Sequence, residues 1–121
     1  MCFIADTRIV KRHEENLRKL RCVISQNTTV TLHHCHGGSM KEAGWHVGMG
    51  QKQNPWLQIP LHEHYHTGGY GIDSGTGVQT WENYFGTQTE HLQWVNEQLP
   101  YDIFEQAKNW EEKHRSTGIA K

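Results

Sequence analysis

Histidine is concentrated in the middle of this sequence, where its number and spacing are typical of a site that does chemistry. Ten histidines occur in 121 residues, and seven of them lie between positions 33 and 66. Neutral imidazole is the commonest protein ligand for transition metals and a frequent general base near neutral pH. Packing in a hydrophobic core does not explain such a cluster, so the sequence predicts a metal or catalytic site in this segment.

Two of these histidines are adjacent, at the end of the segment Thr29–His34. The composition of this segment favours a strand, and neighbouring side chains of a strand point to opposite faces. One imidazole of the pair His33 and His34 can therefore bind a metal while the other faces a substrate.

A second group of histidines, at positions 62, 64 and 66, follows an apolar segment that ends at Leu61. If these residues form a helix, His62 and His66 share one face and can bind a single ion, whereas His64 lies on the far side. If they form a strand, all three line one face as a His-x-His-x-His site. The flanking Pro60 and Gly68 permit both geometries, so the two alternatives stay open.

The segments before these histidines predict a helix and a hairpin. The helix is expected to be capped by Asp6 or Thr7 and to run to about Leu20. Its buried face carries four residues at helical spacing: Ile9, His13, Leu17 and Leu20. Residues 22–24 and 29–34 are predicted to pair as a β-hairpin around the turn at 25–28.

The rest of the chain is predicted to alternate irregular loops with packed elements. Two glycine-rich stretches, 35–55 and 68–77, are expected to be loops, and the apolar segment 56–61 between them to pack inward. Residues 78–85 predict a short helix that Gly86 ends. Thr87 and Glu90 form a capping box for the next helix, which carries Leu92, Val95 and Leu99, and residues 101–114 predict a last helix.

Charge and composition restrict the class of protein. The net charge of −1 excludes a strongly basic nucleic-acid binder. Residues 1–24 nevertheless carry six basic and three acidic side chains, which suits either a phosphate-binding arm or a solvated helix face. No apolar run approaches the roughly 20 residues of a membrane span, and the N-terminus lacks signal-peptide features. We therefore expect a cytoplasmic protein with no membrane partner, whose three cysteines are free thiols.

Three segments in order resemble the HNH (ββα-metal) nucleases of phages and prophages. They are Leu20–Asn27, then Val30–His34, and, after a glycine-rich loop, Ile59–His66. The pattern looks closest to the recombination-enhancement (Ref-like), RecA-dependent type. The match covers about residues 17–70, roughly half of the chain.

The resemblance implies an α+β domain spanning residues 1–121. A small ββα-metal core at about 17–75 would follow the N-terminal helix, and the helices at about 78–115 would form a C-terminal extension. The implied function is metal-dependent endonuclease cleavage of DNA in a bacterial cytoplasm, in phage or prophage recombination or DNA processing, with a RecA-type filament as a further partner. His34 would be the general base, and one divalent ion would be held by His33, His62 and His66.

This chain departs from the family pattern at several positions. Ser25 replaces the second cysteine of a Cys-x-x-Cys knuckle that begins at Cys22, and His62 stands where a further cysteine would be. A complete Cys₄ zinc site is therefore absent. Tyr70 occupies the position of another ligand, so either His62 completes the metal site by its spacing to His66, or Asp73 does so from the loop. Of these two, the helical spacing favours His62.

The remaining roles follow from the resemblance and from ligand chemistry. Asn54 is the nearest candidate for the asparagine that orients the base by hydrogen bonding. All-imidazole ligation makes Zn²⁺ the expected ion on purification, with Ni²⁺, Mn²⁺ or Mg²⁺ as alternatives for activity. The predicted DNA contacts are Arg12, Arg18, Lys19, Arg21 and His36. Two other functions stay open: a non-catalytic zinc module that binds DNA or protein, and a small hydrolase using the His-x-His-x-His geometry.

Overall fold

The computed structural model describes residues 2–46, 53–74 and 77–119, with side chains from residue 7 to residue 113. Six helices and two strands occur in these ranges, which confirms the predicted α+β class. In chain order they are α1 Cys2–Arg18, β1 Thr31–His34, α2 Gly38–Glu42, β2 Gln58–Leu61, α3 Glu63–His66, α4 Val78–Phe85, α5 Gln88–Gln98 and α6 Ile103–Ile119.

Helix α1 begins earlier than its capping pattern predicts. It starts at Cys2, so Asp6 and Thr7 lie inside the helix and neither caps it. The predicted face is confirmed at its centre, where His13 and Leu17 are fully buried, but Ile9 is 50% exposed. The helix continues through Asp6 and Thr7, the two residues proposed as caps. The start of α1 is therefore the least accurate part of this prediction.

The two strands pair with each other, and the predicted hairpin is wrong. Strand β1 runs antiparallel to β2, with His33 opposite Ile59 and His34 opposite Gln58. Residues 22–27 instead close a tight turn, in which Cys22 N donates to Asn27 O and Gln26 N donates to Cys22 O. Since these backbone groups bond within the turn, they cannot form a ladder with residues 29–34.

Strand β2 is buried along its whole length because helices pack on it from different sides. Helices α1, α3 and α5 all contact it. On one face Gln58 donates to Glu14 of α1, and on the other His33 of β1 hydrogen-bonds Gln88 of α5. The alternation of the sheet therefore directs His34 toward α1 and His33 toward α5.

The segment after β2 is a single short helix followed by a loop. Helix α3 comprises only Glu63–His66, so the strand alternative for the histidines at 62–66, and with it the His-x-His-x-His site, is wrong. The loop then folds back on the helix, where Ile72 N donates to Tyr65 O and Asp73 N donates to His66 O. These two bonds place Asp73 beside His66.

The predicted C-terminal helices are confirmed, but the last one both starts and ends later than predicted, at Ile103–Ile119 instead of 101–114. Gly86, with a φ of 96°, ends α4, and Thr87 and Glu90 form the capping box of α5. Helix α6 starts at Ile103 and not at 101, because the Asp102 side chain accepts from the backbone N–H of Phe104 and Glu105.

Two further predictions are settled only in part. The predicted loop 35–55 contains the short helix α2, and its residues 47–52 lie outside the described ranges, as do residues 75–76 of the second glycine-rich loop.

None of the helices in the described part of the chain is long and apolar enough to span a membrane.

Candidate metal centre

Three side chains from separate elements converge on one point beside the sheet. His33 lies on β1, His66 on α3 and Asp73 on the following loop, and one ligand atom of each lies within 4.8 Å of the other two. Both histidines contact the same carboxylate oxygen, Asp73 Oδ2, at 3.2 Å from His33 Nδ1 and 3.0 Å from His66 Nε2. Imidazole nitrogen and carboxylate oxygen are the donors that zinc and related divalent ions prefer.

The far side of the His33 ring is held by a buried amide. His33 Nε2 lies 3.0 Å from Gln88 Oε1, and the same oxygen accepts from His36 N. An amide oxygen can only accept, so His33 must carry its proton on Nε2. The lone pair of the neutral ring is then on Nδ1, which faces Asp73.

A buried carboxylate fixes which way the Gln88 amide points. Gln88 Nε2 donates to His36 O and to Glu82 Oε2, and Glu82 also accepts from Gln88 N and from both the N–H and the hydroxyl of Ser39. Burial alone would raise the pKa of Glu82, but these hydrogen bonds hold it below its ordinary value. A flipped amide would place Nε2 against the His36 N–H, so only the observed orientation satisfies every group.

The far side of the His66 ring is fixed in the same manner by Thr31. The Thr31 hydroxyl donates to Leu61 O at 3.0 Å, so its oxygen accepts from His66 Nδ1 at 2.7 Å. The proton of the neutral His66 ring is thus on Nδ1, and its lone pair is on Nε2, which faces Asp73. Thr31 thus fixes the tautomer of His66, as Gln88 fixes that of His33.

Two imidazole lone pairs and one carboxylate oxygen therefore face each other. Because all three are electron-rich acceptors, this group needs a cation between its members. Neutral rings in these tautomers have no proton to donate to Asp73, so the contacts need either additional protons or a metal ion. An ion with bonds of about 2.0–2.2 Å holds tetrahedral ligands roughly 3.4 Å apart. The contacts of Asp73 Oδ2 with the two rings, 3.0 and 3.2 Å, are close to that separation, and the two ring nitrogens lie within 4.8 Å of each other, so small shifts would let the three residues hold a divalent ion.

The site is closed on one side and open on the other. The His33 side chain is fully buried, whereas His66 is 15% exposed and Asp73 is 33% exposed. Burial alone would raise the pKa of Asp73, but the ring nitrogens of His33, His36 and His66 beside its carboxylate hold that pKa well below its usual range. The carboxylate is therefore ionised and reachable from solvent, as a ligand at an accessible site must be.

His36 holds the second oxygen of the same carboxylate. Its Nε2 lies 3.1 Å from Asp73 Oδ1, and this hydrogen bond raises the pKa of His36 while partial burial opposes it. His36 is half-exposed beside the candidate ligands, so its predicted phosphate contact remains a prediction that this position permits.

The structure corrects the choice between His62 and Asp73. His62 is extended, at φ −62° and ψ 146°, and precedes the first turn of α3 as its N-cap. Its Nδ1 accepts from His64 N, so the ring is folded onto its own helix. The four-residue spacing places two side chains on one face only when both residues are helical. Asp73 therefore takes the place that the spacing assigned to His62.

The structure also corrects the predicted role of Asn54. This residue is buried, its Nδ2 donates to Ala107 O on α6, and its Oδ1 accepts from Trp56 N. Both ends of the amide are engaged with the backbone, so Asn54 ties the entry of β2 to α6 and does not orient His34.

The proposed base, His34, lies on the α1 side of the sheet and is half-buried. Burial lowers the pKa of His34, and the neighbouring His33 and His66 act in the same direction, while the carboxylates of Glu14 and Asp73 oppose them. A lowered pKa keeps the imidazole neutral and able to accept a proton near neutral pH.

The incomplete knuckle retains one feature of a thiolate site. Cys22 is buried, and its Sγ accepts from the backbone N–H groups of Ile24 and Ser25 at 3.4 Å. Burial would raise the pKa of this thiol, but contacts with the His62 backbone and with Ser25 lower it overall. Among the described residues, Cys22 does not belong to any group able to hold a metal.

The basic side chains predicted to contact DNA are all exposed on α1 and the turn after it. They are Arg12, Arg18, Lys19 and Arg21. Exposure is compatible both with phosphate binding and with a solvated helix face, so their role stays a prediction.

Sequence reasoning missed the residues that hold the ligands in place. Gln88, Glu82 and Thr31 have no motif of their own, and Gln88 lies 55 positions after His33. No sequence signal pointed to Gln88, because a polar residue directly after the capping Thr87 would be expected at the surface, yet Gln88 is fully buried.

Comparison of the chain with protein-family models, with curated proteins and with solved structures gives no match.

Proposed function

We propose that this chain is a metal-dependent nuclease that hydrolyses phosphodiester bonds in DNA. The observation that carries the proposal is the convergence of His33, His66 and Asp73 with their imidazole lone pairs already directed at the shared carboxylate. The order of the elements also supports the proposal, since β1 and β2 pair antiparallel and the short helix α3 follows β2, although α2 lies between the two strands.

The number of ligands favours catalysis over a purely structural metal. Structural zinc sites have four protein ligands, whereas catalytic sites have three and leave a position for water or substrate. The described residues provide three, and the partly exposed Asp73 and His66 mark the open side. This is the reason for preferring a nuclease to a metal-stabilised binding module.

In the proposed mechanism, His33, His66 and Asp73 hold the ion and His34 is the general base. The ion would stabilise the charge that develops on the phosphate and the leaving oxygen. His34, at the end of β1 and on the opposite face of the sheet from His33, would accept the proton of the attacking water, and its lowered pKa keeps it neutral for this role. His36 lies against Asp73 on the half-exposed side, and because its Nε2 is bonded to Asp73, only the Nδ1–H of its protonated ring can donate to a phosphate oxygen.

The proposed substrate contacts come from the exposed basic residues of α1. Arg12, Arg18, Lys19 and Arg21 would bind backbone phosphates, which supplies affinity without sequence preference. The RecA-type filament suggested by the resemblance remains a further proposed partner.

The decisive experiment adds one divalent ion at a time to metal-stripped protein, with supercoiled and single-stranded DNA as substrates. We expect cleavage with at least one of Zn²⁺, Mn²⁺, Ni²⁺ or Mg²⁺ and none with chelator present. Asp73→Asn, purified in parallel, is the control for contaminating nuclease and should be inactive with every ion. Protein that binds metal but cleaves neither DNA under any ion would instead be a non-catalytic module.

A further inference from the structure

A cavity of about 360 Å³ lies between α1, the entry of β2 and the start of α6, on the side of the sheet that faces α1. Its volume is within the range of pockets that hold small organic ligands, about 300–1,000 Å³. Its lining includes Arg8, Arg12, Asn16, His13, Trp56 and Tyr101. None of these residues belongs to the candidate metal centre.

Three residues of α1 whose side chains carry hydrogen-bond donors line this cavity. Arg8, Arg12 and Asn16 are spaced four residues apart, so they lie above one another on one face of the helix. No carboxylate is among the described residues that line the cavity. Two guanidinium groups with no lining acid select an anion, which they can bind in the planar, two-pronged manner typical of arginine.

The opposite wall is aromatic and rigid. The rings of Trp56 and Tyr101 meet edge to face with centroids 6.3 Å apart, and His13 packs on Trp56 at 4.6 Å. Tyr101 is fixed because its hydroxyl accepts from Asn16 Nδ2 and bonds His13 Nδ1 at 2.8 Å. The flat ring of a ligand can pack against this wall with little loss of side-chain freedom, because the side chains of the wall are already ordered.

We propose that this cavity binds a planar aromatic ligand that carries an anionic group, with the chemistry of a nucleoside monophosphate. Its ring would lie against Trp56 and Tyr101, and its phosphate would be bound by Arg8 and Arg12. The ligand can come from two sources, a free nucleotide or an unpaired nucleotide of a single strand. This site lies apart from the proposed metal centre and does not depend on it, although Arg12 is also one of the proposed contacts to DNA phosphates.

The test is calorimetric titration of the full chain in the presence of chelator, which removes any contribution of a metal centre. Thymidine 5′-monophosphate is expected to bind, while thymidine and inorganic phosphate each bind at least about tenfold more weakly, because each lacks half of the recognised group. A short oligothymidylate that competes with the monophosphate identifies a strand as the source. An oligothymidylate that does not compete identifies a free nucleotide.

Paired variants show whether binding occurs in this cavity. Arg8→Gln combined with Arg12→Gln should weaken binding of the monophosphate at least about tenfold. Lys41→Gln combined with Lys108→Gln removes the same charge from exposed positions outside the cavity and should leave binding unchanged. The proposal is overturned if neither the monophosphate nor the oligothymidylate binds at millimolar concentration, or if both pairs of variants weaken binding equally.

Discussion

Gln88 Oε1 lies 3.0 Å from Nε2 of His33, and this single contact decides which nitrogen of the ring faces Asp73. The amide is itself fixed by Glu82, so a chain of buried hydrogen bonds runs from α4 through α5 to the candidate ligand on β1. Groups that orient a metal-binding histidine commonly change metal affinity or activity by about 10- to 100-fold when they are replaced. Gln88 is thus a positioning residue for the proposed metal centre.

Replacement of Gln88 by methionine should weaken metal binding by about 10- to 100-fold. Methionine keeps the length of the side chain, but its thioether is only a weak acceptor for His33 Nε2, so the ring loses the strong acceptor that fixes its tautomer. The measurement is competition for Zn²⁺ against a chelating dye. Gln93→Met, on the exposed side of the same helix, should bind as tightly as the wild type. Unchanged affinity in a folded Gln88→Met protein would show that the tautomer is set in another way.

Asp73→Asn should abolish tight metal binding, whereas His62→Ala should retain it. The carboxylate supplies the charged ligand between His33 and His66, while the His62 ring is turned onto the backbone of α3. The measurement is the rise in melting temperature on addition of Zn²⁺, since an ion that binds only the folded state stabilises it. The opposite result, loss of the rise in His62→Ala and its persistence in Asp73→Asn, would restore the arrangement predicted from the spacing of the histidines.

Local chemistry explains which parts of the fold could be predicted from the sequence. Gly86 ends α4 and the box of Thr87 and Glu90 starts α5, because each of these signals acts within a single turn of chain. His33 and His66 could likewise be assigned to one site, since both come from short histidine motifs.

Long-range pairing explains which parts could not be predicted. The partner of β1 is β2, and its residue Ile59 pairs with His33 across 25 intervening positions. From the sequence alone, the nearer segment at Cys22 is an equally plausible partner for β1. The ligand Asp73 is brought to the site by two backbone bonds between its loop and α3, and these have no sequence signature. The prediction that His62 is a metal ligand failed because α3 begins one residue later, at Glu63. Helix boundaries are the least certain feature of such predictions.

His34→Ala should reduce DNA cleavage by about 10²- to 10⁴-fold while the protein still binds its metal. The reason is that His34 faces α1 and is not one of the three candidate ligands. Cleavage rate and metal content are measured on the same preparation. His64→Ala, an exposed histidine outside the group, is the control and should keep full activity. Loss of metal together with activity in His34→Ala would show that His34 takes part in ligation.

Neutralising Arg12, Arg18, Lys19 and Arg21 should lower the salt dependence of DNA binding. Each lost phosphate contact is expected to reduce the slope of log affinity against log salt by about 0.9 for duplex DNA and about 0.7 for a single strand. Binding is followed by fluorescence anisotropy with chelator present, so that no substrate is consumed. If the fourfold Gln variant keeps both the affinity and the slope, this face of α1 is only solvated.

His13 links the stability of the protein to pH, and it does so away from the metal centre. His13 is 1% exposed and bonds Tyr101 through Nδ1, while its Nε2 has no partner that satisfies hydrogen-bond geometry among the residues that the structure describes. Burial lowers the pKa of His13 to about 4, although the Trp56 backbone and the Glu14 carboxylate act in the opposite direction.

The folded protein should therefore lose stability as the pH falls from about 6.5 to about 4. In this range the unfolded chain binds a proton on His13 that the folded chain does not, so acid favours unfolding. Above 6.5 neither state is protonated and the full stability is present, and below 4 both states are protonated and the loss is complete. A shift from 6.5 to about 4 corresponds to a loss on the order of 3 kcal/mol in the free energy of unfolding. The measurement is urea unfolding of the wild type and of His13→Gln across this range, with metal removed from both. The difference between the two proteins should shrink steadily with acid, because glutamine does not titrate, and a difference that stays constant with pH would show that His13 is protonated equally in both states.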